Sequence, residues 1–157
     1  MIGTHFFNPV ARMPLVEIVE SLFTEPAVTQ LAERFLTVTL GKQVIRAKDR
    51  AGFVVNALLI PYLLSAIRML ESGFASATDI DKAMVLGCNH PMGPLALVDF
   101  IGLDVINATA EALHAEFREP SYSPPPLLMR MVDAGLTGKK AGRGFHDYST
   151  KAQGTPT

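Results

Sequence analysis

One cysteine, Cys88, is all that the 157-residue sequence contains, so no intramolecular disulfide can form. Neither charge is in excess. Fourteen Lys plus Arg against fifteen Asp plus Glu leave a formal charge of −1, without the basic footprint that a phosphate backbone or an acidic membrane surface requires. No nucleic-acid partner is expected. The opening MIGTHFFNPV lacks the basic flank and long apolar run of a secretory signal, and with a lone cysteine this points to a reducing cytoplasm. His90, His114 and His146 share no ligand spacing with one another or with Cys88, so no metal site is expected. A Gly-x-Ser-x-Gly elbow is also missing.

A membrane span is the next absence. Ala51 to Ile67 carries no charge, and its length reaches the lower edge of the roughly 17–25 apolar residues that a span needs. Asn56, Pro61 and Ser65 interrupt it, however, and Arg50 and Arg68 close it on both sides. A helix buried on most of its faces explains the run better, and no membrane partner is expected.

What is present is 48% hydrophobic residues, enough for a packed core of about one domain. Residues 1–48 read as α/β. Ile2–Phe7 and Leu15–Val19 are β-rich runs, joined by a link from Asn8 to Pro14 that could pair them, and Gln43–Ala47 is a third strand. Between them Thr24-Glu25-Pro26 opens a helix, with Thr24 as its N-cap, that runs to Leu40 with Gly41 behind it.

Strand signals fade after Gly52. A long helix is expected from about Phe53 to Glu71, bending near Pro61. A second starts on Ser76 with Asp79 in a capping box and ends at Gly87. A third runs from Pro94 to Ile101, a fourth is capped by Asp104, and a short one spans Leu127–Ala134. Met69, Met84, Met129 and Met131 are expected to fill core or interface gaps. The predicted architecture is mainly α: a short α/β segment over 1–48, a helical domain over 49–149 and a tail over 150–157. Three strands and one helix cannot cover both faces of a doubly wound sheet, so residues 1–48 read as the last strands of a larger one.

Three groups of residues could carry chemistry. His5 and Glu17 lie on the first two strands; if these pair, the carboxylate can hold one imidazole nitrogen and leave the other to exchange a proton. The plainer alternative is a histidine at a strand end and a solvated glutamate. Asn56 is the lone hydrogen-bonding side chain between Phe53 and Ile60. It could anchor a substrate oxygen beside the free N–H groups of a helix start, or bond to a neighbouring carbonyl. Lys139, Lys140 and Arg143 sit among four glycines in Gly135–Gly144. This stretch matches neither GxxxxGKS/T nor GxGxxG and follows a helix, so a basic surface loop is the default, with Lys139 and Arg143 free to meet an anion or a partner subunit.

The ordered strings Gly3-Thr4-His5-Phe6-Phe7-Asn8-Pro9, Leu15-Val16-Glu17-Ile18-Val19, Asp49-Arg50-Ala51-Gly52-Phe53-Val54-Val55-Asn56, Pro91-Met92-Gly93-Pro94 and Gly142-Arg143-Gly144-Phe145 resemble the 3-hydroxyacyl-CoA dehydrogenase family, in particular its 3-hydroxybutyryl-CoA branch. The resemblance runs from residue 2 to 148. It implies an NAD-dependent oxidoreductase of fatty acid or butanoate metabolism, with an amino-terminal Rossmann domain and an all-helical carboxy-terminal domain that completes the active site and forms a homodimer. It implies further that His5 is the catalytic acid/base, that Glu17 orients it, and that Asn56 contacts the acyl-CoA substrate. The family's glycine fingerprint for the cofactor has no counterpart in this sequence, so residues 1–48 are expected to be a Rossmann remnant, cofactor-binding residues are not assigned, and the chain alone is expected to be inactive and to bind no NAD. NADP is left open. Three other readings share the sequence: a hydroxyacid or sugar-acid dehydrogenase of the L-gulonate type, a non-catalytic helical dimerisation module, and part of a multifunctional β-oxidation protein.

Overall fold

The structure, a computed structural model, describes residues 1–149; the tail expected over 150–157 lies outside them. The chain is mainly α with a small three-stranded sheet. It divides into two compact units, Met1–Ala57 and a second from Leu58 onward.

The first unit is built on the sheet. β1 (Gly3–Phe6) pairs antiparallel with β2 (Leu15–Glu20), and β2 pairs parallel with β3 (Gln43–Lys48), giving the order β1-β2-β3. A parallel neighbour needs a crossover. It is supplied by α1 (Pro26–Arg34), which continues as a π-helical turn over Phe35–Thr39. Side chains alternate across a strand, and this decides the two faces. Val16 and Ile18 point to the helix side and are fully buried with Leu36, against Ile2, Phe6, Ala32 and Val44. Burial on this scale is worth roughly 1.5–3 kcal/mol per large aliphatic side chain. By register, Glu17 belongs to the opposite face together with its direct partner His5. The link after β1 is held by Lys42, whose Nζ donates to the carbonyls of Val10 and Met13.

α2 (Val55–Glu71) begins in the first unit, and from Leu58 onward it contributes Ile60, Leu63, Leu64 and Ile67 to the core of the second. It is followed by α3 (Ala77–Cys88), α4 (Pro94–Ile101), α5 (Leu103–Phe117) and α6 (Pro126–Asp133). Their buried residues include Ile80, Leu95, Val98, Ile106, Leu113 and Leu128. Two side chains fasten the connection before α6: Arg68 donates to the carbonyls of Pro120, Ser121 and Ser123, and Glu71 Oε1 accepts the Leu127 N–H. Among the described residues no helix is long and apolar enough to cross a membrane.

Several expected boundaries move, each for a local reason. Thr24 does not cap α1; its hydroxyl donates to the Met1 carbonyl, and Glu25 takes the cap position without a side-chain bond. The long helix begins at Val55 because Gly52 and Phe53 are left-handed, with φ of 75° and 47°. Ser76 caps α3 as expected, accepting the Asp79 N–H, but the helix passes Gly87 and stops at Asn89, which takes the left-handed conformation instead. Asp104 lies inside the first turn of α5 and pairs with Lys140 rather than capping. Met69 and Met129 are partly exposed rather than core.

Candidate active site

The first unit brings His5 and Glu17 together. They are directly opposed across the β1–β2 ladder, and His5 Nδ1 lies 2.6 Å from Glu17 Oε2. Glu17 is 0% exposed, whereas the imidazole keeps 29% of its surface. A buried carboxylate must be satisfied by donors. Two more come from the turn that leads into α2: the N–H groups of Val54 and Val55 both donate to Glu17 Oε1 at 3.0 Å. An ionised carboxylate can only accept, so the same contact assigns the imidazole hydrogen to Nδ1. In the neutral ring Nε2 then carries the lone pair, and among the described residues it has no hydrogen-bond partner.

Two phenyl rings flank the imidazole. The centroid of Phe7 lies 4.6 Å from that of His5 and the centroid of Phe53 lies 5.3 Å from it, both tilted, within the range of favourable aromatic pairs. A histidine held at one nitrogen, steadied on its sides and open at the other nitrogen is arranged to exchange protons.

Asn56 is half-buried in the first turn of α2, immediately after the two peptide groups that hold Glu17. Among the described residues its carboxamide makes no hydrogen bond. The helix-start N–H of Val55 is occupied by an internal carboxylate instead of being free for a ligand. Sequence position makes His5, Glu17 and Asn56 candidates, each beside a plainer alternative, and the family resemblance favours their functional reading. Neither assigns a role to Phe7, Phe53 or the Val54 and Val55 amides, since a backbone donor has no side-chain signature.

The glycine-rich segment of the second unit is not a phosphate cradle. It wraps an anion of the protein's own: Asp99, 1% exposed, accepts the N–H groups of Phe145 and His146 and the hydroxyl of Tyr148. A Cβ on Gly144 would stand 2.0 Å from Asp99 Oδ1, and one on Gly138 would stand 2.4 Å from the Asp99 carbonyl oxygen. Burial, then the Asp99 charge, push the Tyr148 phenol up to about 12. Asp81 works similarly, accepting the Leu95 and Ala96 N–H groups at the start of α4 and facing His146 Nε2 at 2.7 Å. Lys140 is paired with Asp104, whose carboxyl is held below the usual range mainly by that hydrogen bond. His90 faces Tyr62. Among the described residues no three His, Cys, Asp or Glu side chains gather as a metal site.

Known proteins resemble this chain over most of its length. Residues 1–50 match the NAD binding domain of 3-hydroxyacyl-CoA dehydrogenase, and residues 52–148 match the C-terminal domain of 3-hydroxyacyl-CoA dehydrogenase. A 3-hydroxybutyryl-CoA dehydrogenase of Mycobacterium tuberculosis is 59% identical over 148 residues, covering 94% of this chain and 52% of the relative. A probable 3-hydroxybutyryl-CoA dehydrogenase of Bacillus subtilis is 46% identical over 151 residues, covering 96% and 52%. Among solved structures, M. tuberculosis FadB2 superposes with a TM-score of 0.92 at 59% identity, over 94% of this chain and 52% of that one. The (S)-3-hydroxybutyryl-CoA dehydrogenase PaaH1 of Ralstonia eutropha gives 0.90 at 48% identity, over 95% and 52%. The chain thus spans about half the length of these relatives. With both matches in order along the chain, it belongs to the 3-hydroxyacyl-CoA dehydrogenase family.

Proposed function

We propose that the protein acts as a dehydrogenase interconverting 3-hydroxyacyl-CoA and 3-oxoacyl-CoA with NAD, with 3-hydroxybutyryl-CoA as the preferred substrate. The single observation that carries this is the buried Glu17 on His5 Nδ1, which leaves Nε2 as a base. The family match and the activities named for the relatives support the substrate class.

The chain's own residues perform proton steps. Nε2 of neutral His5 takes the proton of the C3 hydroxyl as that carbon is oxidised, and in the reverse direction the imidazolium returns it to the C3 oxygen. Glu17 stabilises the imidazolium through Nδ1 and keeps the ring from turning. Asn56 offers an amide to the reacting oxygens, a positioning effect. NAD is the hydride acceptor in this reading. The described residues do not fit its pyrophosphate: α1 opens on Glu25 and Pro26, with no glycine turn leading a strand into a helix. No pyrophosphate contact is assigned to them.

Residues 1–48 are read as part of the cofactor domain and 49–149 as a substrate and dimerisation domain. Leu58, 72% exposed, and Met69 on α2, with Met129 on α6, are the apolar side chains that a second copy would cover. The substrate class is tested by assaying the intact enzyme with NADH and acetoacetyl-CoA against NAD and L-gulonate. Turnover of acetoacetyl-CoA is expected; turnover of L-gulonate alone overturns the assignment.

A further inference from the structure

We propose that Phe53 is a positioning residue for the proton transfer: its ring holds the imidazole of His5, and its left-handed backbone aims the two peptide N–H groups that hold Glu17. This rests on the reading of His5 and Glu17 as the acid/base pair.

Three observations meet at this residue. Its φ of 47° is a region that bulky side chains avoid and that glycine enters freely. The preceding residue already is a glycine, with φ of 75°, so a second glycine would complete the turn without strain. A bulky residue persists in such a conformation where its surroundings use it. Second, the ring is used: it packs on His5 at 5.3 Å between centroids, beside Phe7 at 4.6 Å. Phe53 is only half-buried and also lines a hollow of about 280 Å³ with Gly3, Thr4 and Val19, so its ring is not core filling. Third, the peptides immediately after it are the Glu17 donors, Val54 and Val55. Ring and backbone therefore act on the two ends of one hydrogen bond. The ring limits rotation of the imidazole, and the turn limits the carboxylate.

The consequence is a division of labour that substitution can separate. Phe53→Gly removes the ring and relieves the backbone, so the Val54 and Val55 bonds survive while the imidazole is freed. In the intact enzyme this variant is expected to lower kcat about 10- to 100-fold with KM changed less than about twofold. Phe53→Tyr, which keeps the ring, is expected to restore most of the loss. The second readout is independent of turnover: the Nδ1–H proton of His5, followed by nitrogen-edited NMR, is expected to broaden in Phe53→Gly while the Val54 and Val55 amides stay protected from exchange. Should Phe53→Gly fold poorly, Phe53→Leu serves, keeping apolar bulk without the ring, with a smaller loss in the same direction. An unchanged kcat and an unchanged Nδ1–H signal in Phe53→Gly, while His5→Gln abolishes turnover, overturns the role of Phe53 and leaves the acid/base reading intact. Full turnover in His5→Gln overturns both.

Discussion

Val55 and Glu17 are separated by 38 positions, yet the N–H of Val55 donates to Oε1 of Glu17 at 3.0 Å. The start of a helix is thereby tied to the centre of a strand, and the opposite oxygen of the same carboxylate is tied to His5. Glu17 is the joint between the element that carries the imidazole and the element that carries Asn56. Every donor that reaches it is an N–H group, which makes the site sensitive to the chemistry of this one side chain.

Glu17→Gln tests that sensitivity. The amide keeps the shape but has one accepting oxygen and one donating nitrogen. If the oxygen stays on Val54 and Val55, the NH2 faces His5 Nδ1, and the imidazole must move its hydrogen to Nε2. The base is then blocked. Turnover is expected to fall by about 10²-fold or more, and stability by about 1–3 kcal/mol for the imperfectly paired buried group. Nitrogen chemical shifts of His5 report the tautomer directly; an Nδ1–H form retained in the variant contradicts the assignment.

Glycine positions separate packing from propensity. Gly144→Ala drives a Cβ to 2.0 Å from Asp99 Oδ1 and is expected to destabilise by about 3 kcal/mol or more as the buried carboxylate is displaced. Gly87→Ala lies in α3 with nothing within 4 Å of its Cβ, and is expected to stabilise by about 0.5–1 kcal/mol. Urea denaturation of the two variants checks both signs.

Tyr148 makes stability fall in alkali. Its phenol is pushed up to about 12 by burial and by Asp99, against about 10 in an unfolded chain. A raised value favours the neutral folded form, so its contribution is complete below about 10 and is lost as pH rises toward about 12. Phenolate absorbance should show a late step that vanishes in Tyr148→Phe, and the variant's stability should depend less on pH over that window. A late step unchanged in Tyr148→Phe assigns it elsewhere.

The strands that bear His5 and Glu17 were legible because β-branched and aromatic runs with turn residues between them are local signals, and α4 was legible because Pro94 and Gly102 bracket an apolar run. The turn at Gly52-Phe53 was not. A phenylalanine at positive φ has no signature in its own neighbourhood; its reason lies on the other side of the site, at His5. Asp81 and Asp99 lack a local signature for a related reason. Each sits in a stretch whose apolar pattern reads as helix, and the backbone donors that justify burying an acid come from residues 14 to 47 positions away. Composition puts the end of α3 at Gly87, whereas the left-handed residue is Asn89, a conformation that asparagine tolerates.

The most direct test of the account is turnover of 3-hydroxybutyryl-CoA by His5→Gln in the intact enzyme, measured beside its affinity for NAD. Removing the proton acceptor is expected to lower kcat by about 10²- to 10⁴-fold while cofactor affinity stays within about twofold. A kcat equal to that of the unaltered enzyme contradicts the claim that this imidazole moves the proton.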